Sequence, residues 1–331
     1  MSALRWFALG AGVAALLVAA AGSALWYSVY ADRSHPPRST QVVIDRGATF
    51  AEVARRLASA GVISNVLTFR MLARVRGEES EVRAGEYRFS PRSTQNEVLR
   101  ALVSGGAQVA TWVTIPEGFT AAQIASRLQA AGVGSSVGFV REFMHRRLSV
   151  DGAVTRNLEG FLFPSTYLLP LGAAPSQVAD ILTAQFLKEL PSDASSRART
   201  LHVSVPQAVT VASLIEREAK REPDRPLIAE VIYNRLRLAM PLQVDAAIEY
   251  ALPLHKSQLS FADLKIDSPY NTYVHSGLPP TPIANPGRAS LEAALHPAKG
   301  EYLYYVYCGG GRHVFAQTLA EHQANVARCL Q

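Results

Sequence analysis

Two glutamates, Glu216 and Glu218, close the apolar run VASLIEREAK, from Val211 to Lys220. From Val205 to Ile215 the apolar residues Val205, Val209, Val211, Ala212, Leu214 and Ile215 nearly encircle a helix, which predicts a buried helix rather than a surface one. A carboxyl at the end of such a helix loses hydration, and that loss raises its pKa towards the range where a general acid works near neutral pH. The competing reading is a charged helix end facing water, the commoner fate of a glutamate. Residues two apart on a helix point to different sides, so the two carboxyls are not expected in one cleft. One should serve chemistry and the other an ion pair, with Arg217, Lys220 or Arg235 as candidate partners; periodicity does not choose between them. Further on, YNTYVHSGLPPTPIANPG (Tyr270 to Gly287) reads as a turn-rich loop able to wall a cleft.

Rival chemistries find little support. His35, His145, His202, His255, His275, His296, His313 and His322 form no HExxH and no clustered ligand spacing. No G-x-S-x-G elbow, P-loop or GxGxxG occurs. Ser213 stands one turn before Glu216, but a lone Ser and Glu do not make a nucleophile. No metal and no cofactor are expected. The two cysteines, Cys308 and Cys329, fit either a disulfide tying the last helix to a strand or two free buried thiols.

The elements that must position this chemistry begin with an anchor. No charged residue occurs from Trp6 to Ala31, and at about 1.5 Å per residue that run crosses the roughly 30 Å hydrocarbon core with some tilt. Trp6 at one end and Trp26, Tyr27 and Tyr30 at the other read as interfacial belts. A cleaved signal peptide is the alternative, with Ala19-Ala20-Ala21 as its cleavage site, although the run is long and bulky for one. Arg5 argues for a cytoplasmic N-terminus, with the bulk of the chain outside the cytoplasm. The net charge of +6 comes mainly from arginine, spread between Arg33 and Arg100 along several helices. That distribution suits a surface near anionic lipid or wall polymer better than a nucleic-acid site, and no nucleic-acid motif accompanies it.

After a polar linker, Asp32 to Thr40, an internal repeat appears. Ile44-Asp45-Arg46-Gly47-Ala48-Thr49, then Val53-Ala54, Leu57 and Ala60-Gly61-Val62, recurs as Ile115-Pro116-Glu117-Gly118-Phe119-Thr120, then Ile124-Ala125, Leu128 and Ala131-Gly132-Val133. Each copy predicts a strand, a glycine turn, a threonine N-cap, an amphipathic helix and a glycine C-cap. The first copy is completed by a strand from Arg83 to Phe89 and a helix from Thr94 to Ser104. These units resemble LysM-type carbohydrate-binding modules; a spacer holding the rest off the membrane is the plain alternative. From about Ser136 the chain reads as mostly helical: Ser136 to Arg147, Pro175 to Glu189, Val205 to Lys220, Pro223 to Leu238 and Asp245 to Tyr250. After the long loop come a helix from Ser290 to Leu295, a strand from Tyr302 to Tyr307 and a final helix from Leu319 to Cys329. The expected class is α+β, with a mainly α-helical C-terminal part.

Several spaced segments, in order, resemble the MltG (YceG-like) endolytic murein transglycosylases. They are LEGFLFPSTY (Leu158 to Tyr167), VASLIEREAK, VIYNRLRLAMPLQVD (Val231 to Asp245), YNTYVHSGLPPTPIANPG, HPAKGEYLYYV (His296 to Val306) and HVFAQTLAEHQANV (His313 to Val326). The resemblance implies a lysozyme-like catalytic domain at 111–331, after a cytoplasmic stretch 1–5, a transmembrane helix 6–31, a linker 32–40 and a LysM-like subdomain 41–110. It implies Glu218 as the catalytic acid, with Glu216 and Arg235 in support. The family usually carries Thr or Ser after that glutamate, where this chain has Ala219. Asn234, Gln243, Asp245, Tyr270, Asn271, Thr272, Tyr273 and Asn285 fall in matching motifs and are expected to line the glycan cleft; for Asn271 and Asn285 an Asx-turn role competes. The implied protein is a single-pass enzyme of the inner (plasma) membrane with its catalytic domain periplasmic. It would cut nascent peptidoglycan strands between MurNAc and GlcNAc beside membrane-bound peptidoglycan synthases (penicillin-binding proteins), leaving 1,6-anhydro-MurNAc ends. A muramidase hydrolase with Asp245 as base and a non-catalytic glycan-binding scaffold remain as rivals.

Overall fold

The computed structural model of the chain describes residues 2–252 and 259–329, so His255 lies outside the described residues. In chain order the elements are α1 (Ser2–Trp26), running into a wider π-type turn (Tyr27–Ala31), β1 (Thr40–Ile44), α2 (Phe50–Ser59), α3 (Val66–Arg76), β2 (Gly85–Phe89), α4 (Gln95–Ser104) and β3 (Gln108–Thr114). Then follow α5 (Ala121–Ala130), α6 (Ser136–His145), β4 (Ser149–Val150), β5 (Ala153–Val154), β6 (Thr166–Pro170), α7 (Pro175–Glu189), α8 (Ala194–Thr200) and α9 (Val205–Glu218). The last are α10 (Arg225–Arg237), α11 (Asp245–Ala251), α12 (Arg288–Leu295), β7 (Tyr304–Tyr307), β8 (His313–Ala316) and α13 (Leu319–Cys329).

The chain divides into two compact units. The first comprises Met1–Val113, Ala131–Val133 and Tyr167–Gly172. Its sheet runs β1-β2-β3-β6, with β1 antiparallel to β2 and β2 antiparallel to β3 across a bulge at Glu86/Tyr87. Helix starts are written into the sequence as caps. Thr49 and Glu52 form a capping box on α2, Thr94 and Glu97 repeat it on α4, and Asn65 caps α3 through Leu67 and Thr68. Val42, Ile44, Leu57, Phe69, Tyr87, Phe89, Leu99 and Leu102 make the core. Both copies of the repeat fold as expected, and Gly47 and Gly118 both turn at φ 75°, a conformation that favours glycine. Residues Gly10–Ala31 form a helix long and apolar enough to cross a membrane.

The second unit comprises Thr114–Ala130, Gly134–Thr166 and Ala173–Gln331. At its centre lies α9, capped by Ser204 and Gln207, with Pro206 in its first turn and every residue from Ala208 to Ile215 buried. It packs on α8, α10, α11 and α12, and Phe161 meets Phe186 edge-on at 5.1 Å in the same core. The helix ends two residues before the expected Lys220, because Ala219 turns to extended backbone at φ −67°, ψ 126°. Cys308 and Cys329 are disulfide-bonded, which ties α13 to the end of β7. The helices α3 and α8 and the strands β4, β5, β6 and β8 were not among the expected elements.

Candidate active site

Glu218 is the last residue of α9, where the helix's negative end adds to the cost of a carboxylate. Its carboxyl is pushed up to about 7, first by burial and next by the charge of Asp245, with Glu249 adding to the rise. Tyr305, on β7, donates its hydroxyl to Glu218 Oε2 at 3.3 Å and, with the charge of Lys220, partly offsets the rise. A carboxyl poised there keeps a substantial protonated fraction near neutral pH and can still release the proton, as a general acid must.

The neighbours come from three directions. Asp245 opens α11, and its Oδ1 accepts the Tyr273 hydroxyl at 2.6 Å. One turn along α11, Glu249 pairs with Arg217 at 3.2 Å. Arg235, a buried cation on α10, donates to the carbonyls of Leu303, Pro241 and Leu242 and to Gln243 Oε1, and lies 5.2 Å over the Tyr304 ring. On the same helix Asn234 donates to the carbonyls of Gly300 and Tyr302, and Glu230 accepts the Tyr302 amide. Together Glu230, Asn234 and Arg235 grip the backbone at 300–303 and so fix the start of β7, which carries Tyr305.

The long loop is pinned as firmly. Asn271 is fully buried, accepting the Tyr273 amide and donating to the carbonyls of Leu264 and Ile266. Thr272, also buried, bonds both the amide and the carbonyl of Val244. These two residues hold Tyr273 against Asp245 rather than offering side chains to a cleft. Gln243 sits at φ 53°, a conformation that costs a non-glycine residue on the order of 1 kcal/mol, held by its amide bond to Thr272 O and by Arg235.

Asn285 and Tyr270 belong to a second centre, around Glu159. This carboxyl is 1% exposed and pushed up to about 7 by burial. It accepts the Ala121 amide at the start of α5, Asn285 Nδ2 at 2.9 Å and the Tyr250 hydroxyl at 3.1 Å. Asn285 also bonds Leu162 N and Phe119 O, while the Tyr270 ring packs 5.0 Å from that of Tyr250. Glu159, Arg217, Glu249 and Tyr250 share the wall of a cavity of about 530 Å³.

Glu216 diverges from Glu218, as two positions on a helix should. Its partners are none of the three cations expected from sequence: Oε2 accepts the Gly287 amide at 3.0 Å and lies 3.5 Å from Arg225. Arg217 is engaged by Glu249, and Arg235 by backbone carbonyls. Ser213 is buried, donating to Thr210 O and accepting the Ile283 amide. Sequence reasoning had not singled out Tyr305, Glu159 or Glu249. The first two lie inside quoted family segments, which was their only signal. Among the described residues no three or more His, Cys, Asp or Glu are grouped as metal ligands.

The model of the YceG-like family matches residues 42–328. An endolytic murein transglycosylase of Bacillus subtilis (strain 168) is 35% identical over 305 residues, covering 86% of this chain and 83% of that protein. One from Streptococcus pneumoniae serotype 2 (strain D39) is 30% identical over 318 residues, covering 86% of this chain and 57% of its own length. The 2.6 Å crystal structure of a yceG-like protein from Listeria monocytogenes is 30% identical with a TM-score of 0.61, covering 87% of this chain and 98% of that one.

Proposed function

The chain belongs to the YceG-like family, and from that premise we propose that it is a membrane-anchored endolytic lytic transglycosylase of peptidoglycan, with Glu218 as its single acid and base. The observation that carries this reading is the Glu218 carboxyl itself, pushed up to about 7 at the end of a buried helix and held by one hydroxyl, that of Tyr305. Two of the relatives are named for this activity.

Protonated Glu218 gives its proton to the oxygen linking MurNAc C1 to the next GlcNAc. That C–O bond breaks, the GlcNAc leaves with a free hydroxyl, and positive charge develops at C1. The MurNAc C6 oxygen then closes on C1, and its proton passes to the Glu218 carboxylate, which regenerates the acid. The product end is 1,6-anhydro-MurNAc, and no water is consumed. Because the substrate supplies its own nucleophile, the reaction needs one carboxyl rather than the usual pair. Tyr305 steadies the carboxylate between the two transfers. Tyr273 and Asp245 stand beside it as candidate sugar contacts.

On this reading Gly10–Ala31 is a single-pass anchor of the inner (plasma) membrane, with the N-terminus cytoplasmic and Glu218 on the periplasmic side. Residues 41–110 act as a LysM-like subdomain and 111–331 as the lysozyme-like catalytic domain. The enzyme cuts inside nascent strands next to membrane-bound synthases and so limits strand length. One observation favours a second reading. Asp245 is close enough to Glu218 to raise its pKa, as a hydrolase's base would be.

Product ends separate the two. Full-length protein in detergent is incubated with uncrosslinked peptidoglycan strands beside its Glu218→Gln variant, and the new ends are identified by mass spectrometry. Anhydro ends from the parent alone are expected. Reducing ends would replace the transglycosylase with a hydrolase, and no ends from folded protein would remove catalysis altogether.

A further inference from the structure

Where the candidate membrane span ends, the globular fold begins without a break. The turn Tyr27–Ala31 packs against α3 and α4. Val29 is 4% exposed and shares a core with Phe69, Leu72 and Ala73 of α3. Gln95, at the start of α4, donates Nε2 to the Ser28 carbonyl and hydroxyl at 3.1 and 3.0 Å. The Arg76 guanidinium lies 6.0 Å over the Tyr30 ring, and its Nη2 donates to the Tyr30 hydroxyl at 3.4 Å. So α3 is fastened to the last turn of the span rather than hung from a linker.

That turn has a definite depth. A span of 22 residues at about 1.5 Å each reaches roughly 33 Å, close to the hydrocarbon thickness. Trp26, Tyr27 and Tyr30 remain exposed at this end, and such aromatics favour the membrane–water boundary. A helix bolted to Tyr27–Ala31 therefore lies near the level of the headgroups.

The outward face of α3 suits that level. Leu67, Met71 and Val75 recur every fourth residue and are 71%, 49% and 81% exposed, while Phe69, Leu72 and Ala73 behind them are buried. Single exposed apolar residues are ordinary, but three in one stripe are not. Arg70, half-buried, and Arg74, exposed, lie along one edge of the stripe, and the Glu79 carboxylate is 3.9 Å from Arg74. An apolar strip edged by arginines is how a helix lies in a bilayer interface, its apolar side among acyl chains and its cations on phosphates.

We propose that α3 is a membrane-surface helix that sinks Leu67, Met71 and Val75 into the extracytoplasmic leaflet, with Arg70 and Arg74 on lipid phosphates. The occupant of this face is phospholipid, because the face is continuous with the anchor and edged by positive charge. The proposal rests on the reading of residues 10–31 as a membrane span, and it adds a second lipid contact that holds the first unit at a fixed angle on the bilayer.

The test uses full-length protein in vesicles of phosphatidylethanolamine and phosphatidylglycerol. Spin labels go on cysteines introduced singly at Leu67, Met71, Val75 and, as the lipid reference, Val18; no reductant is added. Labels at 67, 71 and 75 should collide severalfold more with oxygen, which concentrates in lipid, than with a water-soluble nickel chelate. Adding Arg70→Gln and Arg74→Gln should shrink that preference. If Val18 reports lipid while 67, 71 and 75 meet nickel freely, the helix lies in water and the proposal falls while the span stands. If all three are shielded from both probes, protein covers the face, a second copy being the only candidate in these vesicles, and the proposal also falls. A nickel-accessible Val18 would remove the span reading and this one with it.

Discussion

Among the described residues, the hydroxyl of Tyr305 is the one donor that holds the Glu218 carboxylate, so Tyr305→Phe tests the acid–base argument with minimal change in shape. A hydrogen bond to a charged group contributes about 1.5–3 kcal/mol, but at 3.3 Å this one is long for O–H···O, and about 1 kcal/mol is a fair figure. At 1.36 kcal/mol per pKa unit, losing it raises the Glu218 pKa by about 0.7. The sign follows from which form reacts. The proposed mechanism requires Glu218 protonated, so activity should be present below the folded pKa and lost as pH rises through about 7. In Tyr305→Phe the falling limb should move to higher pH. At pH 8 the variant would keep about fourfold more of its own plateau than the parent keeps of its own. The assay is the initial rate of new strand ends across pH 5 to 9, each profile normalised to its maximum. A falling limb that stays in place, or moves to lower pH, would refute the assignment of that limb to Glu218 held by Tyr305.

Glu159 makes a matching prediction for stability. Its pKa of about 7 in the fold, against an ordinary value of 4.5, costs nothing below the unfolded value and up to about 3 kcal/mol once pH exceeds 7. Glu159→Gln should therefore flatten the fall in melting temperature between pH 5 and 8, even if the loss of one hydrogen bond lowers stability at pH 5; an unchanged slope would count against it. Gly160→Ala places a Cβ 2.4 Å from Pro282 Cγ and 3.2 Å from Val209 Cγ1 at φ +89°. It should cost about 3 kcal/mol in denaturant unfolding. Replacing Cys308 and Cys329 by serine opens a loop with a sequence separation of 21 and should cost about 3 kcal/mol by chain entropy, read as a lower denaturation midpoint.

Much of the fold was legible because its boundaries are chemical. The threonine caps at Thr49 and Thr94, the Ser204/Gln207 box and the repeated glycine turns each announce an element within one or two residues. What escaped notice lacks such a signature. Helix α3 is the exception, since Asn65 caps its start and Gly77 its end, but it interleaves arginines with Leu67, Met71 and Val75 on its outward side, which blurs the usual apolar stripe facing the core. Strands β6 and β8 are short and gain meaning only from partners distant in sequence. At the site, a desolvated carboxyl at the end of the apolar helix was legible, but periodicity did not choose between Glu216 and Glu218, and the roles of their motif neighbours were not legible. Asn271 makes the Asx-turn that competed with a cleft role in the sequence, its Oδ1 accepting the Tyr273 amide, whereas burial turns Thr272 and Asn285 onto backbone groups distant in sequence. Tyr305 is one of four tyrosines in Tyr302 to Tyr307, and pleating selects the one that meets Glu218.

Helix geometry sends Glu216 and Glu218 to different sides, and the surroundings then make them chemically unlike. Glu216 turns to a backbone amide and a guanidinium, that of Gly287 and that of Arg225, away from the surroundings of Glu218. Glu218 sits where the helix carbonyls end, with Asp245 and Glu249 on α11 opposing its charge and one tyrosine hydroxyl in support. The same α10 residues that fix the backbone at 300–303 set that hydroxyl's position, so the proton-holding power of Glu218 depends on a grip several residues away from it. Weakening the grip at Asn234 should disturb the pH profile, because Asn234 holds the carbonyls of Gly300 and Tyr302 on the segment that leads to Tyr305.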